Sequence, residues 1–151
     1  MVEKKSVAVN RKARHEYAIE DVFEAGMVLK GTEVKSLRLG RANIADAYAS
    51  FREGELWLWN SHILEYTHGN RNNHEPTRGR KLLMNARQLK KLMGELKVRG
   101  TTLIPLELYF NTRGIAKVAI ALARGKKQYE KRETIKTRDW KREQGRLLKK
   151  K

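Results

Sequence analysis

Apolar positions along the chain fall into short, often alternating runs broken by glycines, the pattern of a β-rich fold with few helices. Residues 17–29 read as a strand, with Ile19, Phe23, Met27, Val28 and Leu29 to bury. Gly31 interrupts the run. Thr32 is placed to cap a short helix, and Val34, Leu37 and Leu39 give that helix one apolar side, leaving Lys35, Arg38 and Arg41 pointing elsewhere. Gly40 ends the turn, and strand character returns over 47–51. Glu53-Gly54 lies between two strand-like runs, a hairpin signal, and residues 62–66 extend the same sheet. Trp57 and Trp59 alternate with Leu56 and Leu58, so one pair faces the core and the other faces out.

Residues 67–79 have almost nothing to bury and read as a long mobile loop, with Arg78, Arg80 and Lys81 at its exit. Leu89, Leu92, Met93 and Leu96 then recur at helical spacing. They predict a helix over 85–100, capped by Asn85, with Gln88 completing a capping box and Gly100 closing the end. Two further strands, 103–110 and 115–123, flank Asn111-Thr-Arg-Gly114. Pro105 fits an edge or the start of a strand. This order predicts a mainly β fold: a small closed antiparallel β-barrel of about six strands with two or three helices.

Both ends differ from the middle. Residues 1–14 are polar and basic and read as a short flexible arm that settles near Val7 to Val9. From Arg124 onward there are thirteen Lys/Arg against four acids, a net of +9. So few apolar residues remain there that ordering cannot be compensated by burial. The expected division is a barrel over 1–125 and a basic C-terminal tail over 126–151, disordered alone and able to become helical on a partner.

Charge narrows the function. Lys and Arg outnumber Asp and Glu 34 to 17, giving +17 in 151 residues, and a polyanion is the simplest reason to carry it. Basic residues occupy four separate places: the arm with Arg14, the short helix, residues 78–87, and the tail. The chain has no cysteine, which removes disulfides, thiolate zinc sites and cysteine catalysis and fits the cytoplasm. No run approaches the ~18 apolar residues of a spanning helix, and no signal-peptide apolar region follows the N-terminus, so no membrane is expected. His68 and His74 share a polar loop at poor metal-ligand spacing, and neither GxxxxGK[ST] nor GxSxG occurs. No catalytic residue, metal or cofactor is expected. Trp57 and Trp59 are open to two readings, a barrel flank or a base-stacking platform. Tyr129 and Trp140 lie among tail cations, where aromatics stack on bases while the cations hold phosphates. The residues thus point to an RNA-binding barrel with a basic tail. A constitutive ribosomal protein and a nonspecific RNA chaperone are the competing readings.

Six blocks carry a resemblance: Asn10-Arg-Lys-Ala-Arg-His-Glu-Tyr17, Glu24-Ala-Gly, Leu29-Lys-Gly-Thr-Glu-Val-Lys-Ser-Leu-Arg38, Ala42-Asn-Ile-Ala-Asp-Ala-Tyr48, Pro76-Thr-Arg-Gly-Arg-Lys-Leu-Leu-Met-Asn85 and Ala123-Arg-Gly-Lys-Lys-Gln-Tyr-Glu-Lys-Arg132. In this order, over nearly the whole chain, they resemble the SsrA-binding protein (small protein B) family. The resemblance implies a barrel of the oligonucleotide-binding type and a role as protein partner of transfer-messenger RNA in trans-translation. It implies that the barrel holds the tRNA-like domain and replaces the missing anticodon arm. Alanyl-transfer-messenger RNA with elongation factor Tu then enters an empty A site, and the tail occupies the vacant mRNA channel. Asn10, Glu24, Leu83 and Asn85 resemble family residues at the tRNA-like-domain surface. Lys35, Arg38 and Lys81, with Arg14 and Arg80, are added on charge. In the tail the resemblance covers the hinge from Gly125 through Lys126 and Lys127, then Tyr129 at the decoding centre. Lys131 and Arg132 belong to a family Asp-Lys-Arg whose acid is here Glu130. Leu147 and Leu148 match a distal apolar pair, and Trp140 joins this tail set. A cytoplasmic monomer is expected.

Overall fold

The computed structural model describes residues 4–68, 73–97 and 100–125. Its elements in chain order are β1 (Lys5–Val9), α1 (Ala13–Glu16), β2 (Tyr17–Met27), α2 (Gly31–Arg38), β3 (Ala42–Asn43), β4 (Tyr48–Arg52), β5 (Glu55–Trp59), β6 (His62–Ile63), β7 (Arg80–Leu83), α3 (Ala86–Leu96), β8 (Thr101–Phe110) and β9 (Ala116–Gly125). Six antiparallel strands hydrogen-bond in the cyclic order β8-β4-β5-β7-β2-β9, and β9 pairs back onto β8 to close the ring. The mainly β class, the ring of six strands and the three helices agree with the sequence-based expectation.

Alternation fills the ring. Phe23 and Ala25 on β2, Leu56 and Leu58 on β5, Leu82 on β7, Leu103 and Leu108 on β8, and Val118, Ile120 and Leu122 on β9 are buried together with Leu37 of α2 and Leu92 of α3. A second, smaller cluster (Ala13, Ile104, Leu106, Ala121 and Ala123) lies between α1 and β8–β9. The β4–β5 hairpin turns at Glu53 (φ 53°) and Gly54 (φ 80°), the left-handed pair of a tight two-residue turn.

Several expectations are corrected. Much of the arm is ordered: β1 adds to β8 between Glu107 and Phe110, and Asn10 fixes the following turn. The Asn10 backbone N–H donates to Leu106 O (2.8 Å) and its Nδ2 to Pro105 O (3.0 Å). Thr32 does not cap α2. Lys30 is the cap residue, and its N–H is held by Glu33 Oε1 at 2.7 Å, while the Thr32 hydroxyl is committed to His74. Leu39 is exposed, because the helix ends at Arg38 and the following backbone turns outward. Asn85 caps α3 through the Arg87 N–H (2.9 Å), not through Gln88, and the helix stops at Leu96. Residues 62–66 do not extend the main sheet, since His62–Ile63 pairs only with β3. Pro105 sits inside β8 beside a register shift, where a missing N–H is tolerated.

The loop before β7 is also less bare than its composition. His74 is buried, its Nε2 at 2.8 Å from Ile63 O and its Nδ1 at 2.9 Å from Thr32 Oγ1. A carbonyl only accepts, so Nε2 carries the proton and, in the neutral ring, the Thr32 hydroxyl donates to Nδ1. Asn73 staples the loop base by accepting from Tyr66 N–H (3.0 Å) and donating to Tyr66 O (2.6 Å).

Candidate nucleic-acid interface

Strand alternation decides which charged side chains reach solvent. On β7, Leu82 points into the ring and Lys81 and Leu83 point out. On β2, Phe23 and Ala25 point in, so Glu24 and Gly26 lie on the outer face. Register joins them: Gly26 is opposite Leu83 on β7 and opposite Lys117 on β9, and Lys117 is opposite Tyr109 on β8. A Cβ on Gly26 would lie 3.5 Å from Leu83 Cβ and 3.6 Å from Lys117 Nζ. Both are ordinary contact distances, so an ammonium and an exposed leucine flank a strip of bare backbone that a methyl group would just fill. The Tyr109 hydroxyl donates to Glu24 Oε2. Burial first, and then this bond, push the Tyr109 hydroxyl well above its ordinary pKa, so it remains a donor. One Glu24 oxygen is thereby oriented.

The same wall continues at both ends. Towards α1, a hollow of about 510 Å³ is lined by Arg11, Arg14, His15, Val22, Glu107 and Ala119, the last opposite Glu24. Towards β5, Lys81 is opposite Trp57 and bonded to Glu55 at 3.0 Å. Trp57 and Trp59 face outward and stack on each other, ring centroids 5.8 Å apart at 26°. A Cβ on Gly79 would come within 2.6 Å of Trp59 Cζ3, so only a glycine lets that indole lie across β7. Gly79→Ala is expected to destabilise the fold by about 1–3 kcal/mol through overpacking. The checks are a lower urea midpoint and a red-shifted tryptophan emission.

Of the residues expected at an RNA surface, Arg14, Glu24, Lys81 and Leu83 come together on this wall. Asn10 lies behind it, buried, as the anchor of the turn that carries Arg14. Asn85 is exposed just past β7, with its side chain engaged as the α3 cap. Lys35 and Arg38 are exposed on α2, Lys35 with its ammonium 5.4 Å from the Tyr66 ring centre.

Arg80 is a correction. It is fully buried, not at the surface: Nε donates to Glu33 Oε2 (2.6 Å), Nη1 to Ser61 O and Oγ (2.8 Å each), and Nη2 to Pro76 O (3.0 Å). The alternation that turns Lys81 outward turns Arg80 inward, and a buried guanidinium persists only when paired. Burial lowers its pKa, and the Glu33 charge opposes that shift.

Lys117 was missed from the sequence. Its signal was the inward set Val118, Ile120 and Leu122, which leaves 117 facing out. Gly125 ends β9. Lys126, Lys127, Tyr129, Lys131, Arg132, Trp140, Leu147 and Leu148 lie outside the described residues. Among the described residues no three metal-ligating side chains come together, and no helix is long and apolar enough to cross a membrane.

Fold and wall together define a small, strongly basic β-ring protein with cations, a carboxylate and stacked indoles on one outer face, the physical profile of a polyanion binder. The SmpB protein family model matches residues 7–150, and the chain belongs to that family. It is 60% identical over 146 residues to the SsrA-binding protein of Sphingopyxis alaskensis, covering 97% of this chain and 91% of that one. It is 59% identical over 145 residues to the SsrA-binding protein of Brucella canis, covering 96% and 92%. A solved structure from "tmRNA-SmpB: a journey to the center of the bacterial ribosome" matches with a TM-score of 0.66 and 50% identity, over 78% of this chain and 82% of that one.

Proposed function

We propose that this protein binds the tRNA-like domain of transfer-messenger RNA and brings it to stalled ribosomes for trans-translation. The observation that carries the reading is the register that gathers Glu24, Gly26, Lys117, Leu83 and Lys81 onto one wall in a chain of the SmpB family. Ammonium groups there hold phosphates, and an oriented Glu24 oxygen accepts from a base amino group or a ribose hydroxyl. The ring stands where an anticodon arm would, and alanyl-transfer-messenger RNA arrives with elongation factor Tu and one copy of this chain. Residues 126–151 form the part that enters the mRNA channel from the decoding centre. They reach up to ~90 Å extended and ~40 Å as a helix. The setting is cytoplasmic, and the protein acts as an RNA-binding partner without catalysis of its own.

The test is binding to transfer-messenger RNA against a length-matched unrelated RNA at ~0.2 M salt, where phosphate-only binding is weakened. A preference of ~10³ or more is expected. Equal binding that fades with salt would overturn the reading and leave the chaperone and ribosomal-protein alternatives.

A further inference from the structure

The geometry points to a nucleobase site on the outer face of β4, β5 and β7: the stacked Trp57–Trp59 pair takes an unpaired base of the bound RNA. The inference rests on the RNA-binding reading above and adds to it a specific subsite and the class of group that occupies it.

Five observations support it. Leu56 and Leu58 already supply the β5 contribution to the core, so the two indoles are not needed to fill the ring. They pack on each other and on bare glycine backbone at 79, and Tyr48, directly opposite Trp59, is 43% exposed. Three aromatic rings on one outer face form a platform with a π-surface, which any base can use whatever its identity. Charge then selects the occupant. Lys81 is beside Trp57, and its bond to Glu55 joins two solvent-exposed side chains. Such a pair is worth so little that a phosphate can displace the carboxylate. The platform is also continuous with the wall, because Leu83, 51% exposed, follows Lys81 at the next outward position. Finally, polar groups for a base edge stand at its end. Asn60 follows Trp59 and Thr77 precedes Gly79 by two, and with Asn43, Asp46 and His62 they line a hollow of about 460 Å³.

The Thr77 hydroxyl, the Asn43 and Asn60 amides, the Asp46 carboxylate and the His62 ring there supply both donors and acceptors, as edge recognition of an unstacked base requires. Neither a helical duplex, whose bases are stacked inside, nor an acidic peptide, which has no need of a π-face, uses all of these features.

The experiment uses the full chain carrying Trp140→Phe, whose own affinity for transfer-messenger RNA is measured and serves as the parent value, so that tryptophan emission comes from Trp57 and Trp59 alone. Titration with transfer-messenger RNA is expected to quench that emission, because stacking on a base quenches an indole. Trp57→Leu, which keeps apolar bulk but removes the π-face, is expected to weaken binding about tenfold or more, with Trp57→Phe staying within about threefold of the parent. Thermal melting of each variant separates affinity from folding, and the quench is read on the native pair. No quench, or equal affinity of the Leu and Phe variants, would overturn the base site. In either case a retained preference for transfer-messenger RNA over the unrelated RNA would leave the proposed function standing, whereas loss of that preference in the parent chain would remove both.

Discussion

Glu33→Gln is expected to destabilise the fold by about 3–5 kcal/mol, the range for breaking one side of a buried ion pair. Glu33 is completely buried and binds two arginines: Oε1 accepts from Arg78 Nη2 at 2.5 Å and Oε2 from Arg80 Nε at 2.6 Å. Through them α2 is tied to the start of β7, and through Arg80 to Ser61 and Pro76. An amide keeps the size but strands the Arg80 charge where no water reaches it. Urea unfolding gives the loss directly. Glu33→Gln with Arg80→Met should be less destabilised than the sum of the two single changes, because the orphaned charge is gone. Acid supplies an independent check. Burial alone would raise the Glu33 pKa, but hydrogen bonds from Arg78 and the Lys30 N–H and the Arg80 charge hold it below 4.5. A depressed carboxyl contributes its stability above the unfolded value and loses it as pH falls through the folded one. The gap between parent and Glu33→Gln should therefore be widest above about pH 4.5 and narrow progressively below it. A gap that stayed constant into acid would mean that the carboxylate charge is not what stabilises the helix.

The second large effect is functional. A chain ending at Gly125 retains the nine strands found among the described residues and lacks residues 126–151, with their share of the charge. It is expected to bind transfer-messenger RNA with nearly parental affinity at ~0.2 M salt and to support no tagging of stalled chains. The assays are filter binding and a reconstituted tagging reaction. Tagging at the parental level by this chain would refute the division of roles between ring and tail. Loss of RNA binding would instead move part of the recognition into the tail.

The division into strands was legible wherever alternation or a glycine turn marked it, as in the β4–β5 hairpin and in Val118, Ile120 and Leu122 of β9. Glu24 and Leu83 entered through the resemblance and Lys81 through its charge; that they share one outer face follows from strand register. What stayed hidden were polar side chains whose partners are distant in sequence. Arg80 and Lys81 look alike in a basic run, and only a carboxylate 47 residues earlier makes one of them internal. His74 sits in a stretch of polar residues and is buried nonetheless, because Thr32 and Ile63 satisfy both ring nitrogens. In the N-terminal arm the settling near Val7 to Val9 was legible, while the strand it joins was not, for a related reason. Residues 5–9 are weak strand formers alone, and pair because β8 is long enough to carry β4 at Leu103 and β1 beyond it.

The closing pair of the ring has a consequence for how the chain reaches this structure. Tyr17 at the start of β2 is opposite Gly125 at the end of β9, so the ring is completed by joining segments from the two ends of the folded region. Until β9 is present, β2 and β8 each keep a row of unpaired backbone groups open to any passing strand. Pairings this far apart along a chain form slowly, since the entropy of closing the intervening loop must be met before any contact rewards it. Ring closure is thus a late event. A chain caught before that pairing would carry unpaired strand margins, and the basic segment that follows β9 in sequence would supply like-charge repulsion between neighbouring copies.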